Sequence, residues 1–76
     1  MPRKRRSAPG PHTYSVFVNF RLADGSWDPK RVYFGNSEYS AKLALAEAIL
    51  SNPHAFSIDV RRDFELLARV YLGPTP

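Results

Sequence analysis

Residues 13–22 alternate without a break, and that stretch decides most of what the chain can become. Tyr14, Val16, Val18, Phe20 and Leu22 fall on one side of an extended backbone, and Thr13, Ser15, Phe17, Asn19 and Arg21 on the other. A period of two in β-branched and aromatic residues marks a half-buried strand. Asp24-Gly25 follows, a strong hairpin signal because both residues tolerate positive φ. A second strand then runs through Ser26–Gly35, with Val32 and Phe34 on one face and Arg31 and Tyr33 on the other. Seventy-six residues allow one domain, and a domain this small must use every apolar face it has.

The register of this hairpin can be read further. A two-residue loop pairs Leu22 with Trp27 and Arg21 with Asp28. Continued unchanged, it sets Val18 against Arg31 and Phe17 against Val32, which mixes the faces. One extra residue restores Val18 opposite Val32 and Val16 opposite Phe34. Pro29 cannot donate to a ladder and sits where the parity breaks. The expectation is a bulge or strand break within Asp28–Lys30, so that two strands can appear as three.

Asn36 or Ser37 caps a helix that runs to about Ser51 and stops at Asn52-Pro53. Tyr39, Leu43, Ala46 and Leu50 line one of its faces, and Ala41, Leu45, Ala48 and Ile49 an adjacent one. So wide an apolar arc calls for two neighbours. The second neighbour is read as another helix over residues 58–72, capped by Ser57, ended by Gly73-Pro74, and burying Val60, Phe64, Leu67 and Tyr71. The expected fold class is α+β: a small antiparallel sheet of two to three strands packed on two C-terminal helices, ββ(β)αα. Val16, Val18, Val32 and Phe34 would pack on Leu43, Ala46 and Leu50. Residues 1–11 read as a disordered basic arm, 12–73 as one α+β domain and 74–76 as a disordered tail.

The charge is uneven. Arg3, Lys4, Arg5 and Arg6 account for the whole net charge of +4, since the remaining seven Lys and Arg balance seven Asp and Glu. A cationic run of this kind neutralises phosphates by releasing counterions, reads as an import signal, or merely solubilises a terminus. Cysteine is absent, which excludes a disulfide framework and a Cys-type zinc site. No apolar stretch approaches a bilayer span, so no membrane role is expected. The expected location is intracellular, in cytoplasm or nucleoid, or in the nucleus of a eukaryotic host.

Catalysis finds little to stand on. His12 and His54 are isolated beside loop signals, and no nucleophile motif, phosphate loop or paired-histidine motif occurs. Asp59, Asp63 and Glu65 read as helix-end charges paired with Arg62 and Arg69. The expectation is no enzyme, no catalytic residue, no metal and no cofactor. The outer sheet face is the candidate surface, with Phe17, Asn19, Arg21, Arg31 and Tyr33 together. Arginine and asparagine can make paired hydrogen bonds to base edges, and aromatic faces stack on bases.

The order of features resembles the arm-type DNA-binding domains at the N-termini of phage integrases of the tyrosine-recombinase class. The matching stretches are Met1–Ser7, the strands over 13–34, Phe34-Gly35, and Ala46-Glu47-Ala48-Ile49, within residues 1–57. The resemblance implies a sheet in the major groove and an arm in the minor groove. By position it assigns Arg3, Lys4, Arg5 and Arg6 to the arm and Asn19, Arg21, Lys30 and Arg31 to the sheet. The helix over 58–72 departs from that pattern. Gly35 and Ser37 followed by Ala41-Lys42, Ala44 and Ala46 resemble the last strand and helix of double-stranded-RNA-binding domains. Glu38 and Tyr39 stand where that family carries phosphate-gripping lysines.

The expected function is thus a small nucleic-acid-binding module, with duplex DNA ahead of RNA, using the arm and the sheet face. The alternative is a phage- or mobile-element-type inhibitor or adaptor that binds a protein through Phe17 and Tyr33. A homodimer through a sheet edge or the second helix is compatible with either.

Overall fold

In the computed structural model, which describes residues 12–73, the chain runs β1 (Tyr14–Arg21), β2 (Trp27–Gly35), α1 (Glu38–Ser51), β3 (Ser57–Arg62) and β4 (Glu65–Tyr71). The strands form one antiparallel sheet in the order β2-β1-β3-β4, and α1 crosses one face. Both β2 and β3 run opposite to β1, so a helix-length crossover must join them.

This architecture, ββαββ, corrects the expected ββ(β)αα. Residues 58–72 form a hairpin, not a helix. The reason is the second edge of β1. Val18 pairs with Ile58 and Val16 with Val60, and Val16, Val18 and Ile58 lose essentially all exposure to water. A helix over 58–72 would have left that edge unpaired and those residues half covered. Phe64, expected at the centre of the buried stripe, stands at the hairpin tip and is 99% exposed.

The β3–β4 turn has no glycine. Asp63 takes the positive φ, 57°, a conformation aspartate tolerates better than most residues. It is also tied to the start of β1. The Asp63 amide donates to the Thr13 carbonyl at 2.7 Å, and its carboxylate accepts from the Thr13 amide at 3.0 Å and meets His12 Nδ1 at 2.8 Å. The Thr13 amide first, then His12, holds the Asp63 carboxyl below its ordinary range.

The first hairpin also departs from the expected register. Its loop holds three residues, Ala23, Asp24 and Gly25, between Leu22 and Ser26, whose backbones are joined at 2.9 Å. Gly25 alone takes positive φ, at 90°. Asp24 Oδ1 accepts from the Ser26 amide at 2.9 Å and its hydroxyl at 2.6 Å, which fixes the longer loop. Arg21 therefore pairs with Trp27, and Val18 with Lys30. The extra residue lies at Val32, not at Asp28–Lys30, and beyond it Val16 pairs with Tyr33. Pro29 stays in the ladder opposite Asn19, tolerated because β2 is an edge strand.

Ser37 caps α1 as expected, its hydroxyl accepting from the Ser40 amide at 3.0 Å. Asn52 closes the other end, with both its backbone and side-chain N–H groups on the Ala48 carbonyl. Ala41 and Ala48 are the helix's buried contacts with the sheet, flanked by Ala44, Leu45 and Ile49. Their small side chains let the helix lie close over Val16, Val18, Ile58 and Val60. Leu43, Ala46 and Leu50, expected to cover the sheet, face away from it. Phe34, expected in the core, lies exposed on the other face.

The core location gives a direct stability contrast. Ile58→Ala should cost about 2–5 kcal/mol, a large part of what so small a domain holds. Phe64→Ala should change stability by no more than about 0.5 kcal/mol, as exposed substitutions usually do. Urea unfolding followed by circular dichroism checks both.

Candidate functional site

Among the described residues nothing covers the face of the sheet opposite α1. Strand alternation assigns it Phe17, Asn19 and Arg21 from β1, Trp27, Pro29 and Arg31 from β2, Ser57, Asp59 and Arg61 from β3, and Arg69 and Tyr71 from β4, with Leu66 joining opposite Arg61 after a register shift. The bulge at Val32 brings Phe34 to the same side, opposite Ser15. Four arginines, Arg21, Arg31, Arg61 and Arg69, thus share a face with one acid, Asp59. A body without net charge still presents a basic face, because the acids Asp28, Glu38, Glu47 and Glu65 lie on the helix side or the helix itself.

Two arginines lie over aromatic rings: Arg21 is 5.1 Å from the Trp27 ring centre, and Arg31 is 4.6 Å from that of Phe34. Trp27 meets Phe56 edge-on at 5.0 Å, and Phe56 meets Tyr71 edge-on at 5.8 Å. Phe56 is anchored by its backbone, donating to the Asn19 carbonyl and accepting from the Leu72 and Gly73 amides. These three rings and Pro29 wall a cavity of about 330 Å³ whose floor is Asn19, Ser57, Asp59 and Arg69.

The floor is held by an ion pair. Arg69 Nε donates to Asp59 Oδ1 at 2.6 Å and its Nη2 to Oδ2 at 3.1 Å, a two-pronged fork. Asp59 is buried beneath it, and Arg61 approaches the same carboxylate at 3.9 Å. Burial alone would raise the Asp59 carboxyl. The Arg69 bonds, the Asn19 side-chain amide and the charges of Arg69 and Arg61 outweigh it and hold the group below its ordinary range. Asn19 also donates to the Ser57 hydroxyl at 3.2 Å. The result is a braced polar base between aromatic walls, suited to a flat ring with hydrogen-bonding edges.

Of the residues expected at the site, Asn19, Arg21, Arg31 and Phe17 share this face. Lys30 does not: it pairs with Val18 on the helix side and sits 3.5 Å from Asp28. Tyr33 does not either: it packs against the core, and its hydroxyl donates to the Ser37 carbonyl at 3.3 Å. Arg3, Lys4, Arg5 and Arg6 lie outside the described residues. Sequence reasoning missed Trp27, Phe34, Phe56 and Tyr71, and it set Asp59 and Arg69 as helix-end charges where the structure has a cross-strand pair. Arg69 and Tyr71 share a face only in a strand, so reading 58–72 as a helix hid them.

No protein-family model, curated protein or solved structure matches the chain. Among the described residues, no three His, Asp or Glu side chains gather to hold a metal ion, and no helix is long and apolar enough to cross a membrane.

The sign of the Asp59 shift sets a pH test. A carboxyl lowered in the folded state contributes stability that is present above its unfolded value and lost as pH falls through the folded one. Arg69→Met keeps the carboxylate covered but removes its two-pronged partner, leaving Asn19 and the more distant Arg61, so its pKa should rise from the parent's. The variant should be less stable than the parent near neutral pH, and the gap should narrow at an acid pH below the parent's lowered Asp59 value, where the carboxyl has taken up its proton in both. Thermal melts at the two pH values read the gap.

Proposed function

We propose that the protein binds nucleic acid in single-stranded form on the open face of its sheet. Bases would stack on Trp27, Tyr71 and Phe34, and Arg21, Arg31 and Arg61 would meet the phosphates. The observation that carries this reading is the meeting of exposed aromatics and arginines on one side of the sheet, with the helix wholly on the other. The cavity between Trp27, Phe56 and Tyr71 is the natural seat for one base, its edge reaching the Asn19, Ser57 and Arg69 polar groups.

Strand width favours single strands over the duplex. The major groove, about 12 Å wide, admits a helix or a two-stranded ribbon. Four strands at about 4.8 Å spacing exceed that width before any side chain is added. The basic run Arg3–Arg6 would add sequence-independent phosphate attraction. Binding of a protein through Phe17 and Tyr33 is less well supported, because the two side chains lie on opposite faces.

Trp27 is the chain's one tryptophan, so its fluorescence reports on the face directly. Titration with a mixed-sequence single-stranded oligonucleotide at low salt should quench it, with weaker binding to the matching duplex. Tyr71→Ala should weaken binding by about 1–3 kcal/mol, about five- to a hundred-fold, the usual worth of one stacked base. Arg31→Ala should also lower the slope of log affinity against log salt by about 0.7 for each phosphate the side chain had neutralised. No quenching at low salt would contradict the reading, and tighter binding to duplex would contradict its single-strand form.

A further inference from the structure

The helix has a second apolar face that no described residue covers. Tyr39, Leu43, Ala46 and Leu50 follow one another at spacings of four, three and four residues, which places them in one stripe along α1. Tyr39 is 72% exposed, Leu43 53% and Leu50 83%. At 100° per residue this stripe lies opposite Ala41 and Ala48, the residues buried against the sheet. A stripe this narrow has the four-three-four spacing of a two-helix coiled-coil seam, wider apolar faces being the rule for helices that pack on a core.

Among the described residues none packs over it. Residues 1–11 and 74–76 contain no Leu, Ile, Val, Phe, Tyr or Trp, and the first segment carries the basic run. The flanks of the stripe point to a second copy. Lys42 borders it on one side and Glu47 on the other. In a parallel pair of identical helices, a residue placed as Lys42 meets the one five positions further along its partner, which is Glu47. A two-fold axis makes this contact twice. In an antiparallel pair, Lys42 instead faces the side that carries Lys42 and Ile49, and the opposite charges do not meet. Ala46, small and central, lets the two backbones approach.

We propose that α1 of one chain packs in parallel on α1 of a second copy, through Tyr39, Leu43, Ala46 and Leu50 with paired Lys42–Glu47 contacts at the flanks. The seam is short. A helix of 14 residues spans about 21 Å, so its face falls below the roughly 800 Å² per partner of a standard interface. The dimer is therefore at the weak, transient end of interfaces, and its population rises with protein concentration. The proposal stands apart from the nucleic-acid reading, because it uses the opposite side of the molecule.

Sedimentation velocity over a range of concentrations tests it, with circular dichroism confirming that each variant folds. The parent should shift from monomer to dimer with concentration. Leu43→Glu should stay monomeric and folded, since Leu43 lies outside the core. Lys42→Glu should raise the dissociation constant several-fold, and adding Glu47→Lys to it should restore the parent value. The chain has no native cysteine, so Leu50→Cys and, separately, Tyr39→Cys should each form a disulfide-linked dimer under mild oxidation. In an antiparallel pair residue 50 would instead face residue 39, about 16 Å from its own copy. A parent that remains monomeric at about millimolar concentration overturns the proposal, as does a dimer unaffected by Leu43→Glu. A dimer in which neither cysteine variant cross-links overturns the parallel arrangement.

Discussion

The pairing of β1 with β3 is the contact on which the rest of the molecule rests. It sets Val16 beside Val60 and Val18 beside Ile58, and these residues form the floor on which Ala41 and Ala48 of the helix sit. The core is small, and among the described residues the largest side chains fully removed from water are Ile58, Val16 and Val18. Without β3, those valines would have one strand neighbour and half a cover. The Asp63 turn reinforces the arrangement at one end, binding the Thr13 backbone with its own amide and its carboxylate. At the other end the Phe56 amide donates to the Asn19 carbonyl, so β1 is clamped to the β3 side at both ends.

From this pairing follows a molecule with two unlike sides. On one, a helix closes the sheet with alanines and turns a second apolar stripe outward. On the other, alternation leaves arginines and aromatics facing water around the Asp59–Arg69 pair, whose carboxylate is buried and whose guanidinium is partly exposed. That pair does on the open face what apolar residues do beneath the helix: it fixes the spacing of β3 and β4 and gives the cavity a braced floor. A buried carboxylate is tolerable there only because a two-pronged guanidinium covers it. The fork holds Asp59 and Arg69 in place at the base of the cavity between Trp27 and Tyr71.

Much of this was legible in the residues. The alternation of 13–22 named β1 and both its faces, and Ser37 and Asn52 bounded the helix. The double apolar face of that helix was legible too, but not its consequence. A second neighbour was sought within the chain, and Val60, Phe64, Leu67 and Tyr71 offered a helical stripe for it. The competing signal, Ile58 and Val60 alternating with Asp59 and Arg61, was only a few residues long. Its turn lacked glycine because Asp63 takes the positive φ itself, stabilised by contacts with Thr13 some fifty positions away. No local pattern can show such a contact. The hairpin register failed for a similar reason: Asp24-Gly25 fits a two-residue loop, but the Asp24 bonds to Ser26 select a three-residue one. That one-residue difference moved Lys30 and, with the bulge at Val32, Tyr33 off the open face and placed Trp27 and Phe34 on it.

The most direct measurement is a nuclear Overhauser spectrum of the backbone and methyl protons over residues 13–20 and 57–71. Cross-strand contacts should appear between Val16 and Val60 and between Val18 and Ile58, with strand-type chemical shifts through Ser57–Arg62 and Glu65–Tyr71. Sequential amide–amide contacts and contacts three residues apart running through 58–72 would instead show a helix there. They would remove the β1–β3 pairing, and with it the open face and its site.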